Sequence, residues 1–249
     1  MDAGRRQGAV LTHTIRTVTE TGSTNADMLM LARSGAEEGL WLRAERQTSG
    51  RGRQGRVWTS PEGNLYASTL VRLRAIDPQA ATLALVAAVA LEEVAAAYLS
   101  SGEGRRTMIK WPNDLLLDGA KLSGILLERA DDAVVIGIGV NLAHHPENLE
   151  RPATSLAAHG VTPDPADFLE TLATAFERWL SIWRNEGLAP VRTRWLDRAH
   201  PIGTALTARL PDGSAIDGLF SGLDSEGALI LRLADGTSRV IHAADVFLI

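Results

Sequence analysis

The chain has 249 residues, 45% of them hydrophobic and 22% charged, with a formal net charge of −5 and no cysteine. That length fits one domain of about 200 residues with a small companion, and the composition can fill a buried core. The cysteine count excludes disulfides, thiol nucleophiles and thiolate metal sites, and the acidic balance argues against general nucleic-acid binding.

Residues 1–12 read as a ragged start with no apolar h-region, too short for a helix-turn-helix. A first strand is expected over His13 to Thr19, then a helix from Gly22-Ser23-Thr24-Asn25 to Gly35, with Thr24 as N-cap and Asp27 at N3. Leu40 to Glu45 alternates as a strand and leads into Arg46–Arg56, eleven residues holding four arginines and three glycines. Such a segment is too charged to bury and too glycine-rich for a stable helix, so a mobile loop that an anionic ligand would order is expected. Gly50-x-Gly52-x-x-Gly55 has the letters of a dinucleotide fingerprint, but Val57-Trp58-Thr59-Ser60-Pro61 cannot open the helix that fingerprint needs. Gly50 and Gly55 also have Walker A spacing, yet Arg56-Val57 stands where Lys and Ser/Thr are required. An RNA-binding arginine/glycine segment and a plain solvated loop remain open on these residues alone.

Leu65 to Leu73 is a long strand with an apolar phase, and Pro78 to Leu99 a helix apolar nearly all round, with Glu92 and Glu93 expected to face water near its end. Its longest uncharged run, Pro78 to Leu91, is shorter than the roughly 20 apolar residues of a membrane span. Two short strands flank Pro112 between Met108 and Leu117, Asp118-Gly119 turns, and Lys121-Leu122-Ser123-Gly124 leads into a strand over Ile125 to Arg129. Ala133 to Val140 is another strand, and Leu142 to Pro163 reads as a second irregular, mobile loop. Asp164-Pro165 caps a helix with an aromatic stripe at Phe168, Phe176, Trp179 and Trp183, ending at Gly187. From about residue 197, short strands over Thr204 to Leu210, Gly218 to Leu223, Ala228 to Leu233 and Ser238 to His242 alternate with Asp-Gly and Glu-Gly turns. No residue of that tail looks chemical, and the adjacent His144-His145 pair is poorly placed to converge on a metal. The fold class expected is α+β, with a mixed sheet flanked by helices over 1–196 and a small barrel over 197–249.

Five motifs occur here in one order: Gly22-Ser23-Thr24-Asn25, Gln47 to Arg56 with Trp58, Lys110-Trp111-Pro112-Asn113-Asp114, Lys121-Leu122-Ser123-Gly124-Ile125-Leu126, and Gly137-x-Gly139-x-Asn141. In that order and spacing the chain resembles the biotin protein ligases, in their short form without an N-terminal DNA-binding domain. The resemblance implies a catalytic domain like those of class II aminoacyl-tRNA synthetases and a C-terminal SH3-like barrel. It implies activation of biotin by ATP with Mg2+ to biotinyl-5′-AMP, then transfer to a lysine of a biotin carboxyl carrier protein domain of acetyl-CoA carboxylase or a related enzyme. A cytoplasmic enzyme engaging neither DNA nor membrane follows, with a homodimer left open.

By the same resemblance Ser23, Thr24, Asn25 and Gln47 line the ureido end of biotin, with Gly50, Arg51 and Gly124 beside its ring and tail. Arg53 retains the adenylate, and Lys121 bridges the biotin carboxylate and the α-phosphate. Lys110, Arg56, Asn113 and Asn141 belong to the nucleotide side, and Trp58 is either an adenine platform or core. Asp114 stays open between catalytic base, magnesium organiser and turn former. Ser49 and Ser123 replace the alanines common in relatives. Lipoate protein ligase, which shares fold and adenylation, and a non-catalytic binding module are the alternatives.

Overall fold

The computed structural model describes residues 13–99, 106–147 and 151–248. The expected ragged start at 1–12 lies outside them. Seven strands form one sheet: β1 (Thr14–Thr21), β2 (Leu40–Gln47), β3 (Leu65–Arg72), β4 (Thr107–Lys110), β5 (Asp114–Leu117), β6 (Ala120–Ala130) and β7 (Ala133–Val140). Their order is β1-β2-β3-β7-β6-β5-β4, with β1 and β2 parallel and the other neighbours antiparallel.

Strand alternation divides the sheet between two sets of helices. Trp41, Leu65, Ala67, Val71, Val134, Ile136 and Ile138 face α2 (Leu83–Tyr98) and α3 (Pro165–Glu186), in the cluster that forms the main core. Leu40, Leu42, Leu70 and Val135 face α1 (Thr24–Arg33) and pack on Met28 and Ala32. The α1 face is only partly covered by its short helix. The remainder of that face is where the polar residues gather.

The stretch Ala80–Tyr98 is long and apolar enough to cross a membrane by composition, and it is largely buried inside the protein. Helix α3 begins as its sequence dictates, the Asp164 carboxylate accepting from the Ala166 and Asp167 amides beside Pro165. Helix α1 departs from expectation: Ser23 occupies the cap position without a side-chain cap bond, and the Thr24 hydroxyl turns to Gln47 instead. Strand β6 also begins earlier than Ile125, so Lys121 and Gly124 lie within it.

A further helix, α4 (Leu188–Arg198), was not expected; it buries only Val191 and Trp195, too sparse a stripe to stand out. It meets α2 at Glu92, which is fully buried and not in water as its sequence position suggests. Its carboxylate accepts from Thr107 Oγ1 at 2.8 Å and Arg194 Nη2 at 2.9 Å, with Arg198 Nε at 3.7 Å. Glu93 is also engaged, accepting from the Trp179 indole at 3.1 Å and from Arg178.

Beyond α4, strands β8 (Ala205–Arg209), β9 (Ala215–Leu223), β10 (Leu229–Arg232), β11 (Ser238–Ile241) and β12 (Asp245–Leu248) make an antiparallel SH3-like sheet of order β11-β10-β9-β8-β12. Strand β12 was absent from the sequence reading, being only four residues long after the helix-like Ala243-Ala244.

A buried carboxylate is tolerated only with its partners in place. Glu92→Ala is expected to lower unfolding free energy by about 3 kcal/mol, the low end for buried ion pairs because the arginines keep access to water. A urea midpoint within error of the parent at unchanged slope would contradict this.

Candidate functional site

One ladder position runs across six strands on the α1 face. Ala44 pairs with Tyr66, Tyr66 with Gly139, Gly139 with Gly124, Gly124 with Asp114, and Asp114 with Lys110. The two central members have no side chains, so the row dips in its middle. A methyl added at Gly139 would lie 2.7 Å from the Trp58 indole, and one at Gly137 would lie 2.2 Å from Asn25 Oδ1. The glycines are thus fixed by what lies on them. The resulting cavity has a volume of about 530 Å³, within the range of small-molecule sites.

At one end is a neutral polar network. Gln47 Oε1 accepts from the Thr24 amide at 2.9 Å and its hydroxyl at 3.2 Å, and Gln47 Nε2 donates to Ser60 Oγ at 3.1 Å. Ser68 Oγ lies 2.8 Å from Thr24 Oγ1 and 2.7 Å from Asn25 Oδ1, while Asn25 Nδ2 donates to Glu128 Oε2 at 2.8 Å. Arg51 pairs with Glu128 at 3.2 Å. Ser23, Thr24 and Asn25 are buried here together with Ser60 and Ser68, and Glu128 is half-buried beside them; the last three were not singled out from the sequence. Ser68 stands in β3 next to Thr69, and nothing in the strand's sequence sets its hydroxyl apart.

At the other end, cations collect. Lys121 Nζ is 2.6 Å from Asp114 Oδ1 and 5.5 Å from the centroid of the Trp58 ring. Lys110 is buried on the same face without an ion pair among the described residues. Burial pushes its ammonium down to about 8, against the pull of Asp114 and with the push of Arg151 and Lys121. Trp58 lies on the glycine floor and its buried Nε1 has no hydrogen-bond partner among the described residues.

The arginine loop is folded by an Arg51–Val57 bridge and one 3-10 turn at Arg53–Gly55. Gly50 lines its base, where its carbonyl accepts from the Trp58 amide at 2.9 Å. Arg56 pairs with Asp245 of β12, Arg53 Nη1 lies 3.8 Å from the same carboxylate, and Arg53 Nη1 donates to Asn113 Oδ1 and the Ala244 carbonyl, both at 3.3 Å. Burial pushes the Asp245 carboxyl up, but the Arg56 hydrogen bond and the fields of Arg56, Arg53 and Arg151 outweigh it and hold it below the usual range. Asp245, Arg209 and Phe247 line the cavity, so the C-terminal sheet contributes charged and aromatic side chains to its wall.

Asn113 Nδ2 donates to the Ile125 carbonyl at 2.6 Å and Asn141 Nδ2 to the Thr154 carbonyl at 3.0 Å. The latter belongs to a segment strapped to β6, with Lys121 N on Pro152 O at 2.8 Å and Thr154 N on Lys121 O at 2.9 Å. The described part of the expected mobile loop is therefore tied down beside Lys121. His144 is held through its backbone by Asn64, and His145 Nδ1 lies 3.1 Å from Ser155 Oγ, so the pair does not converge.

Residues 15–141 match the biotin/lipoate A/B protein ligase family, and residues 202–249 the biotin protein ligase C terminal domain. A biotin--[acetyl-CoA-carboxylase] ligase of Paracoccus denitrificans is 42% identical over 238 residues, spanning 91% of this chain and 97% of its own. One from Mycobacterium tuberculosis is 37% identical over 233 residues, spanning 92% and 86%. Biotin protein ligase from Aquifex aeolicus in complex with biotin and ATP is similar in structure, with a TM-score of 0.83 at 25% identity over 94% of this chain and 99% of that one.

Asp245→Ala is expected to release the arginine loop. Losing its charge-assisted bonds should speed amide exchange over residues 51–57 about tenfold. Unchanged exchange there would mean that the loop is held by other contacts.

Proposed function

The chain belongs to the biotin/lipoate A/B protein ligase family, and from that premise and its cavity we infer that it activates biotin with ATP and transfers it to a biotin carboxyl carrier protein. The observation that carries this is the division of one cavity into an end of hydroxyls and amides, where the charges of Arg51 and Glu128 offset each other, and a cationic end that begins at Lys121.

Neutral amides and hydroxyls suit a ureido group, whose N–H and C=O would be costly to bury unpaired. Ser23, Thr24, Asn25 and Gln47 take that ring, with Gly50, Arg51 and Gly124 beside ring and tail. A lipoyl dithiolane offers these groups nothing to bond, which favours biotin over lipoate. The biotin carboxylate then lies against Lys121, which holds it beside the α-phosphate of ATP. A carboxylate oxygen bonds to that phosphorus, the bond to the pyrophosphate oxygen breaks, and pyrophosphate leaves.

Magnesium enters as the ATP complex. Among the described residues no three His, Asp or Glu side chains converge, and magnesium commonly takes one or two carboxylates with phosphate and water as its other ligands. The chain's own part is fixed positive charge from Arg53, Arg56, Lys110 and Lys121 where phosphoryl charge develops. Asp114, paired at 2.6 Å with Lys121, is read as its positioning residue. Trp58 and Asn113 flank the nucleotide, with Asn141 fixing the strap beside Lys121.

In the second step an acceptor lysine amine attacks the biotinyl carbonyl, AMP departs, and the amine loses its proton as the amide forms. Arg53 and Arg56, closed on Asp245, shield the mixed anhydride from water until then. The carrier domain is proposed to dock at the largely exposed β1 edge. The cytoplasm, where ATP and the carrier meet, is the proposed compartment.

With MgATP and no acceptor, biotin should give a burst of about one equivalent of pyrophosphate and lipoate none. No biotin-dependent release would reject the reading. Lys121→Ala should slow adenylate formation by about 100-fold or more, whereas Arg53→Gly should form the adenylate and release it to solution. Adenylation at the parent rate in Lys121→Ala would remove that lysine from the chemistry.

Because Lys110 is charged below about pH 8 and neutral above, kcat/KM for ATP should fall as pH rises through that value. Lys110→Arg should move the fall to higher pH. An identical profile in both proteins would assign the transition elsewhere.

A further inference from the structure

One carboxylate stands among the hydroxyls and amides near α1. Glu128 follows Gly124 and Leu126 on the same face of β6, and its side chain is 28% exposed. Its Oε2 accepts from Asn25 Nδ2 at 2.8 Å and from Arg51 Nη2 at 3.4 Å, and its Oε1 lies 3.2 Å from the same guanidinium. Asn25 and Arg51 line the cavity, and Glu128 stands behind them.

The carboxylate fixes which way the Asn25 amide points. Nδ2 has Glu128 Oε2 on one side and the Leu126 carbonyl, at 3.4 Å, on the other; neither can donate to an amide oxygen, so the amide cannot turn over. Its Oδ1 therefore faces Ser68 Oγ at 2.7 Å, and because an amide oxygen only accepts, the single Ser68 hydrogen goes there. Ser68 Oγ is also 2.8 Å from Thr24 Oγ1, so the hydrogen between those two hydroxyls is that of Thr24, with Gln47 Oε1 at 3.2 Å as its other acceptor. Either way that hydrogen is held inside the protein, and Thr24 turns lone pairs to the cavity it lines. A ligand N–H is what such an atom takes.

Every donor in this row then points toward Glu128. A ligand N–H on Thr24 would strengthen the bond from Thr24 to Ser68, then that from Ser68 to Asn25, then that from Asn25 to the carboxylate. The same bonds make a circuit through the arginine loop. It leaves the loop at Arg51 and returns by way of Gln47 and Ser60 to the Trp58 carbonyl, which accepts from Ser60 Oγ at 2.9 Å.

On the reading that the ureido ring of biotin binds at this end, we propose that Glu128 is a positioning residue that couples ring recognition to order in the arginine loop. It sets the donor and acceptor pattern that meets the ureido N–H, and it holds Arg51 through the same two oxygens. Because Arg51 steadies the carboxylate that orients the ring's partners, a bound ring steadies Arg51 to the same degree.

Calorimetry with biotin on the full chain reads this without turnover. Glu128→Gln keeps an oxygen for Asn25 but takes the charge from Arg51, and should bind biotin about threefold more weakly. Glu128→Ala removes both and should bind it about tenfold more weakly. The double variant Arg51→Gln with Glu128→Gln should bind no more weakly than Arg51→Gln alone, because the charge acts through Arg51. Saturating biotin should slow amide exchange over residues 51–57 of the parent by about tenfold, and Glu128→Gln at saturation should lose most of that slowing.

Equal biotin affinity in the parent and Glu128→Ala would overturn the proposal. Full biotin-dependent slowing in Glu128→Gln, or losses that add in the double variant, would overturn it as well, leaving Glu128 a contact with no part in coupling. Absence of biotin binding by the parent would instead reject the ligase reading, and the coupling with it.

Discussion

Gly124 and Gly139 face each other across β6 and β7, and their lack of side chains lets Trp58 lie flat on the sheet in the floor of the cavity. The opposite face of the sheet is packed by α2 and α3, so the strands cannot yield in that direction. On the open face Trp58 lies across the gap and Lys121 stands at its edge. Tyr66 and Asp114 end the same row on either side of the glycines, and Lys110 lies one strand further. A single ladder position thus supplies both the floor and part of the charged wall. A one-residue slip of β6 would send Gly124 and Lys121 to exchange faces with their neighbours, emptying the site of its chemistry.

Charge is handled differently at the two ends. The end near α1 buries hydroxyls and amides that satisfy one another, so its donors and acceptors keep fixed directions at low cost. The other end concentrates cations, and there burial first, then the charges of Arg151 and Lys121, lower the Lys110 ammonium against the pull of Asp114. Asp245 lessens that repulsion from the C-terminal sheet, and its pairs with Arg53 and Arg56 tie the arginine loop to the second unit. The Trp111 indole adds another tie, donating to the Gly227 carbonyl at 3.1 Å. Glu92 braces the join from behind, holding α4 against α2 and β4.

Much of this was legible in the sequence where neighbouring residues decide the outcome. The Asp164-Pro165 start of α3 and its end at Gly187 follow from capping chemistry. The apolar phase of β3 at Leu65, Ala67 and Val71 faces the main core as its alternation indicated. Local chemistry misled at Thr24, whose hydroxyl found Gln47 instead of capping its helix, and at Glu92, whose charge implied water. In both cases a distant partner offered a better bond than the local one.

The sequence by itself determined the strands and helices with strong periodicity, the loop's charge, and the residues whose motif spacing resembles the biotin protein ligases. Only the tertiary structure decided that Gly124, Gly139, Asp114 and Lys110 share one row, that Asn25 meets Glu128 and Ser68, and that the C-terminal sheet reaches the cavity. Arg56 and Asp245 are 189 positions apart, and no local pattern relates them. Periodicity encodes which way a side chain faces relative to its own element, whereas register and sheet packing determine which other side chain it meets. The site is made of such meetings, so the motifs could name some of its lining but not Ser60, Ser68, Glu128 or Asp245, and none of its geometry.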